Sequence, residues 1–216
     1  VKTQGDVVKT TIRTNTIDSL MVFTTKGKMY RILVNDIPVG TNVSKGQSIK
    51  SLIAMDTDEE PNLIYSIYRD TDAKYLLFVT RNGLVKRTEL SEFDSIRKSG
   101  KISIVLKEDD ELISVRKTTG ENEIAIGASN GKMVRFTETE IRSMGRTASG
   151  VKGMDLDGSH VVGAEVVTPG QLILIVTESG YGKKTSIDEY RLTHRGSKGV
   201  KALNVTEKNG MMVALC

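Results

Sequence analysis

Basic side chains recur at fixed places along this chain, and their spacing is the feature that most directly suggests a chemistry. Four stretches run from apolar residues through a turn glycine into Lys or Arg: MVFTTKGKMYR (Met21 to Arg31), LLFVTRNGLVKR (Leu76 to Arg87), IAIGASNGKMVR (Ile124 to Arg135) and ILIVTESGYGKK (Ile173 to Lys184). Their bases are Lys26, Lys28 and Arg31; Arg81, Lys86 and Arg87; Lys132 and Arg135; and Lys183 and Lys184. The loops that follow add Lys45 and Lys50; Arg97, Lys98 and Lys101; Arg142, Arg146 and Lys152; and Arg191, Arg195, Lys198 and Lys201. Acids gather elsewhere, in DTDEEPN (Asp56 to Asn62), KEDDEL (Lys107 to Leu112) and TGENE (Thr119 to Glu123). Equivalent positions of equivalent units are expected to face one rim, so the implied chemistry is non-covalent capture of an anionic backbone. Duplex DNA fits, because it carries about one negative charge per 1.7 Å of axis and binds cations by releasing counterions. Small Gly, Ser and Thr residues among the bases let backbone amides approach phosphates. Taken singly, any of these bases is as well explained by a solvated turn, or by a Lys guarding a strand edge against pairing. The recurrence of the whole set is what favours DNA.

Covalent chemistry finds less support. GYGKKTS (Gly180 to Ser186) has a phosphate-loop flavour, but it lacks the G-x-x-x-x-G-K-[ST] spacing and falls on a hairpin instead of a strand-to-helix turn. Tyr190 stands next to Arg191, yet Phe93 and Ile141 occupy its place in neighbouring copies, a series that reads as packing and not as a nucleophile. The acidic run DTDEE has no evenly spaced set of oxygen ligands for a cation. With two histidines, His160 and His194, and one cysteine, Cys216, no zinc set forms. Four Phe, six Tyr and no Trp are too few for a base-stacking platform, which favours a duplex over a single strand. The sequence therefore predicts no catalytic, cofactor-binding or metal-binding residue.

A chain of 216 residues with 31 Lys plus Arg against 27 Asp plus Glu has a net charge of +4, which permits an anionic partner without demanding one. It contains no apolar run of about 18 residues, and VKTQGDVVKT lacks the apolar core of a secretion signal, so no membrane is expected. A lone cysteine fits a reducing compartment such as the cytoplasm.

The elements that must carry the bases come from an internal repeat. The turn glycines Gly27, Gly83, Gly131 and Gly180 are 56, 48 and 49 residues apart. A second glycine, Gly46, Gly100, Gly150 and Gly199, follows each at 19, 17, 19 and 19 residues. Each unit then closes on a short apolar strand: NLIYSIYR, ELISVRKT, VVGAEVVT and GMMVALC. Four strands per unit are expected, in the third copy Glu123 to Ala128, Lys132 to Thr137, Val151 to Asp155 and Val161 to Val167. Asn82-Gly83 and Asn130-Gly131 suit a two-residue hairpin loop. The connections IRSMGRTASG and YRLTHRGSKG leave room for a single helical turn only. One such sheet cannot bury both its faces, whereas sheets packed side by side can. The fold class is thus all-β, with radial closure as a propeller more economical than a linear stack. Repeats are placed at 17–68, 75–118, 123–168 and 171–216 of a single domain spanning 1–216, and residues 1–13 are expected to finish a preceding unit. The array is then incomplete, about four full blades with partial flanking ones.

The strings FVTRNGLVKRTELSEFDSIRKSG, GKMVRFTETEIRSMGRTASGVKGM and TESGYGKKTSIDEYRLTHRGSKGVKALNVTEKNG resemble the C-terminal domain of the bacterial DNA gyrase A protein. The equivalent domain of topoisomerase IV is a near relative with more degenerate repeats. The resemblance covers essentially the whole chain. It implies a six-bladed β-pinwheel, in which strands are exchanged between neighbouring blades, with the four units as blades two to five. It implies, too, that a basic outer rim wraps duplex DNA and presents it to the cleavage core with a positive crossing, for negative supercoiling driven by ATP hydrolysed on the gyrase B protein. Expected partners are double-stranded DNA, the N-terminal part of the same polypeptide, and gyrase B in an A2B2 enzyme, in the bacterial cytoplasm. No cofactor is expected in this domain; ATP and Mg2+ would act elsewhere, as would the DNA-cleaving tyrosine. The family's QRRGGRG box has only ordinary counterparts here, HRGSKG (His194 to Gly199) and GRTASG (Gly145 to Gly150), and is expected just ahead of Val1. A protein-interaction propeller is the alternative function, and decatenation in a topoisomerase IV setting a further one.

Overall fold

The structure is a computed structural model that describes residues 7–67, 72–95 and 99–216. Among these residues the regular elements are strands and short 3-10 turns. The strands are β1 (Ser19–Thr24), β2 (Lys28–Leu33), β3 (Pro61–Ile67), β4 (Tyr75–Thr80), β5 (Leu84–Glu89), β6 (Lys101–Ile102), β7 (Leu112–Thr118), β8 (Glu123–Ala128), β9 (Lys132–Thr137), β10 (Val151–Lys152), β11 (Val161–Val167), β12 (Leu172–Thr177), β13 (Gly182–Ser186), β14 (Val200–Lys201) and β15 (Met212–Leu215). Single 3-10 turns directly follow the hairpins, as at Leu90–Phe93, Glu138–Glu140 and Ile187–Glu189, ahead of the glycine-containing loops. Residues 7–13 carry no strand.

The chain forms two compact units. The first comprises residues up to Thr71 with Ser95–Ser103, and the second comprises Asp72–Asp94 with Ile104–Cys216. The first holds one sheet of order β3-β1-β2-β6. The second holds β10-β5-β4-β7, β11-β8-β9-β14 and the three-stranded β13-β12-β15. All pairings in these sheets are antiparallel.

The short strands are exchanged between repeats. β6 lies on β2, β10 on β5 and β14 on β9, each taken from the repeat that follows the hairpin it completes. The strand expected over Val151 to Asp155 is therefore only two residues long, and it belongs to its predecessor's sheet. It ends early because the amides of Gly153 and Met154 both turn onto the Gly83 carbonyl, at 2.8 and 3.3 Å.

Glycine explains why the two landmarks keep their separation. Gly150 has φ +99° and a Cβ there would lie 2.5 Å from the Val85 carbonyl oxygen; Gly199, at φ +73°, would meet the Met133 carbonyl in the same way. Only a residue without a side chain both turns left-handed and lets the incoming strand sit on the preceding hairpin. The hairpins differ from the two-residue loop expected of Asn-Gly. Three residues, such as Arg81–Gly83, connect β4 to β5, and the Gly83 amide donates to the Thr80 carbonyl at 3.0 Å. Gly83 and Gly131 have positive φ whereas Asn82 and Asn130 do not, the pattern of a three-residue loop ending in a left-handed glycine.

Within the second unit, alternation along β8 builds two cores at once. Ile124, Ile126 and Ala128 pack with Leu77, Val79 and Val85 of β4 and β5, while Ala125 packs with Ile173 and Ile175 of β12. Successive strand residues point to opposite faces, so a strand covered on both sides reads as one apolar run. In the first unit Leu20, Val22, Tyr30 and Ile32 close on Ile53.

Candidate nucleic-acid interface

The expected rim bases fall into three groups. Arg97 and Lys98 lie outside the described residues.

The first group is turned inward and holds the sheets together. Lys86 is fully buried. Its ammonium sits 4.9 Å above the Phe78 ring and donates to the carbonyls of Gly145 at 3.3 Å and Arg146 at 3.0 Å. Burial depresses its pKa to about 7, with Glu92 opposing that shift and Arg146 adding to it. Arg135 is 8% exposed; its guanidinium grips Glu123 at 2.6 and 2.7 Å and donates to the carbonyls of Ile187 and Tyr190 at 3.1 and 2.9 Å. Arg87 stacks 4.6 Å over Tyr75 and donates to the Gly120 carbonyl at 3.1 Å, beside the buried carboxylate of Glu138. Arg195 donates to the carbonyls of Glu140 and Lys152, each at 3.0 Å. Arg31 is half-buried. For Lys86 and Arg135 the rim expectation is corrected: both are buried against the following repeat, where their N–H groups find backbone carbonyls in place of water.

A second group is exposed or half-buried, and compensated. In the first unit Lys26 pairs with Asp58, Lys28 with Asp56 at 2.7 Å and Lys50 with Glu60 at 2.7 Å, so one acidic turn answers three bases. Hydrogen bonding to Asp56 raises the Lys28 pKa. Lys101 donates to Ser95 Oγ at 3.2 Å. It stands opposite Met29, where β10 has Val151 opposite Val85, so Ile102 takes the register position of Lys152. A one-residue offset in a strand reverses the face, and the base of β6 points the other way from those of β10 and β14. In the second unit Arg81 lies 3.9 Å from Glu111, Arg146 4.0 Å from Glu92 and Lys198 3.3 Å from Asp157. Lys183 donates to the Ala202 carbonyl at 2.8 Å.

The third group shows no side-chain hydrogen bond or ion pair among the described residues: Lys45 in the first unit, and Lys132, Arg142, Lys152, Lys184, Arg191 and Lys201 in the second. All but the half-buried Lys132 are exposed. Their places repeat. Lys152 faces Leu84 on β5 as Lys201 faces Lys132 on β9. Arg142 and Arg191 each precede by two residues an amide bonded to the neighbouring hairpin, Met144 to the Arg87 carbonyl at 2.9 Å and Thr193 to that of Arg135 at 2.8 Å. Arg191 divides two shallow grooves, one of about 420 Å³ shared with Thr193, Ser197 and Lys198, the other of about 390 Å³ shared with Lys183, Glu189 and Lys201.

Two features of this surface carry little signal in the sequence. Ser197 Oγ is buried in the first groove with no hydrogen-bond partner among the described residues, and only the small residues of HRGSKG hint at it. Glu140 reads as one acid among several, yet it accepts from the Arg195 amide at 3.1 Å and lies 3.1 Å from His194 Nδ1. No cluster of three or more His, Cys, Asp or Glu able to hold a metal occurs among the described residues. None of their helices is long and apolar enough to cross a membrane.

A family model described as the DNA gyrase C-terminal domain, beta-propeller, matches residues 18–60, 74–119, 122–168 and 171–215. The DNA gyrase A protein of Staphylococcus epidermidis is 42% identical over 214 residues, covering 97% of this chain and 24% of that protein. Its counterpart from Staphylococcus aureus is 40% identical over 216 residues, covering 98% and 24%. The chain thus spans about a quarter of the length of these relatives. Among solved structures, the C-terminal domain of DNA topoisomerase IV superposes with a TM-score of 0.83 at 34% identity, over 94% of this chain and 64% of that one. The DNA gyrase A C-terminal domain gives a TM-score of 0.79 at 29% identity, over 94% and 66%. The folding of each repeat onto its predecessor's hairpin and these matches along nearly the whole chain agree: it belongs to the DNA gyrase C-terminal domain family.

Proposed function

We propose that this chain is a non-catalytic domain that binds and bends duplex DNA and presents it to the cleavage core of a gyrase-type topoisomerase. The observation that carries this reading is the repetition of uncompensated bases, Arg142 with Arg191 and Lys152 with Lys201, at matching places on consecutive sheets. Such a row offers phosphates charge without base-reading groups, so affinity comes from counterion release and sequence preference from the deformability of the duplex. Exposed pairs such as Lys198 with Asp157 are worth about 0–1 kcal/mol and exchange readily for a phosphate. By membership in the family, the remaining partners are the rest of the gyrase A protein and gyrase B in an A2B2 enzyme. The ATP and Mg2+ chemistry is placed on those parts, in the bacterial cytoplasm. Similarity to the topoisomerase IV domain supports a second reading, duplex binding without chiral wrapping in a decatenating enzyme.

The test is binding of a plain duplex across a salt series. About five phosphate contacts would lower affinity by a few hundred-fold between roughly 50 and 200 mM salt. Replacing Arg142, Lys152, Arg191 and Lys201 by Ala together is expected to flatten that dependence by about four contacts, while Lys74→Ala with Lys107→Ala leaves it in place. Salt-independent binding, or none, defeats the proposal. Relaxed circular DNA closed by a nicking-closing enzyme in the presence of the chain separates the two settings. Retained positive writhe indicates wrapping, and unchanged linking number with duplex binding indicates the second reading.

A further inference from the structure

We propose that Lys86 is a positioning residue for this interface: from the interior it holds the loop of the next repeat so that Arg142 is presented to DNA. The inference rests on the function proposed above and extends it to a buried group. The loop from Arg142 to Gly150 is short of internal support. Its backbone bonds to the neighbouring hairpin through Met144, accepts from the Val105 amide at the Ala148 carbonyl at 3.3 Å, and bonds internally through the Ala148 amide onto the Gly145 carbonyl at 3.2 Å. At its turn the Gly145 and Arg146 carbonyls point inward, and the Lys86 ammonium takes both. Arg142 itself is exposed and uncompensated, so what fixes its place is the backbone behind it. A polar group shielded from water is costly to leave unsatisfied, and removal of the Lys86 amine would take this donor from the Arg146 carbonyl and leave the Gly145 carbonyl with the Ala148 amide. The equivalent position on β9 is Val134, which brings no donor, and there Arg135 holds the following turn by the carbonyls of Ile187 and Tyr190 instead. Two different buried basic side chains thus tie successive repeats to the preceding sheet, Lys86 at the basic loop itself and Arg135 at the 3-10 turn just ahead of Arg191.

The experiment is a double-mutant cycle read by duplex affinity at fixed salt. Lys86→Met removes the donor, Lys86→Gln keeps an N–H donor without the charge, and Arg142→Ala removes the presented base. Lys86→Met is expected to weaken binding about five-fold and to lower the salt slope by about one contact. Arg142→Ala is expected to cost about as much in the parent and nothing further beside Lys86→Met, while Arg191→Ala keeps its full effect in both backgrounds. Lys86→Gln should recover part of the loss, and it carries the same cycle should Lys86→Met fail to fold. Amide exchange at Met144 and Ala148 should quicken in Lys86→Met while β12 amides stay protected. Equal cost of Arg142→Ala with and without Lys86 overturns the proposal alone, because Arg191 would still report the interface. A parent chain that binds no duplex, or is indifferent to Arg142 and Arg191 together, overturns the proposed function and this inference with it.

Discussion

Lys86 is also where residue-level chemistry reaches stability. Its ammonium is fully buried and its pKa is lowered to about 7 from an ordinary 10.5, burial being the main cause. Between those two values the unfolded chain holds a proton that the folded chain has released, so unfolding takes up a proton. Stability must therefore rise with pH across that window, by up to about 1.4 kcal/mol per pH unit from this one group. Urea unfolding of the parent and of Lys86→Met at pH 7.5 and 9.5 checks the sign: the parent should gain on the variant at the higher pH. A gap that stays constant, or that narrows against the parent, would mean the amine is already solvated. This residue also shows where sequence reading stops. Lys86, Lys183 and the aromatic Tyr30 occupy the same step after a turn glycine, and nothing in their letters says that Tyr30 and Lys86 are buried while Lys183 is exposed. That depends on which sheet covers the strand, a property of the neighbour and not of the residue.

At the scale of elements, the exchanged strand is the joint that makes one repeat depend on the next. Gly199 admits β14 to the edge of β9, and Val200 and Lys201 then pair with Met133 and Lys132. Gly199→Ala would place a methyl against the Met133 carbonyl at a positive φ, so a loss of about 1–3 kcal/mol is expected by urea unfolding. Gly145→Ala, with open space around it and no positive φ, should cost a few tenths at most. Equal losses at the two sites would mean that β14 does not sit as described. The hairpins, their spacing and the bipartite glycine pattern were legible in the sequence because backbone sterics impose a left-handed glycine at each hairpin turn and again at Gly100, Gly150 and Gly199, though not at Gly46, which has open space and no positive φ. Which hairpin each short strand joins was not legible in the letters. Val151 and Lys152 carry the same alternation whether they complete their own sheet or the preceding one, and only the resemblance to a known family pointed to exchange. The direction of Lys101 was likewise hidden, since SGKIS and SGVKG place their Lys one residue apart, an offset that reverses the face.

Across the whole molecule, charge is distributed differently in the two units, although the sequence shows similar numbers of bases in each repeat. Lys26, Lys28 and Lys50 meet the carboxylates of Asp58, Asp56 and Glu60, whereas Arg142, Lys152, Lys184, Arg191 and Lys201 show no carboxylate partner among the described residues. A phosphate approaching the first group meets nearly as much negative as positive charge at short range. Interactions within about one Debye length, roughly 8–10 Å near physiological salt, are those that survive screening, so pairing at contact distance decides the local field. The acidic turn from Asp56 to Glu60 thereby restrains what its unit can contribute to binding. Neutralising it by Asp56→Asn, Asp58→Asn and Glu60→Gln should release three bases, raise duplex affinity by about ten-fold and steepen the salt dependence by up to three contacts. The matched control is Glu108→Gln with Glu121→Gln and Glu207→Gln, which changes net charge equally at exposed carboxylates that show no basic partner among the described residues. If affinity followed net charge alone, the two triple variants would bind alike. A clear advantage for the first, accompanied by the steeper slope, requires that local pairing and not the total of +4 sets how much of the basic surface a duplex can use.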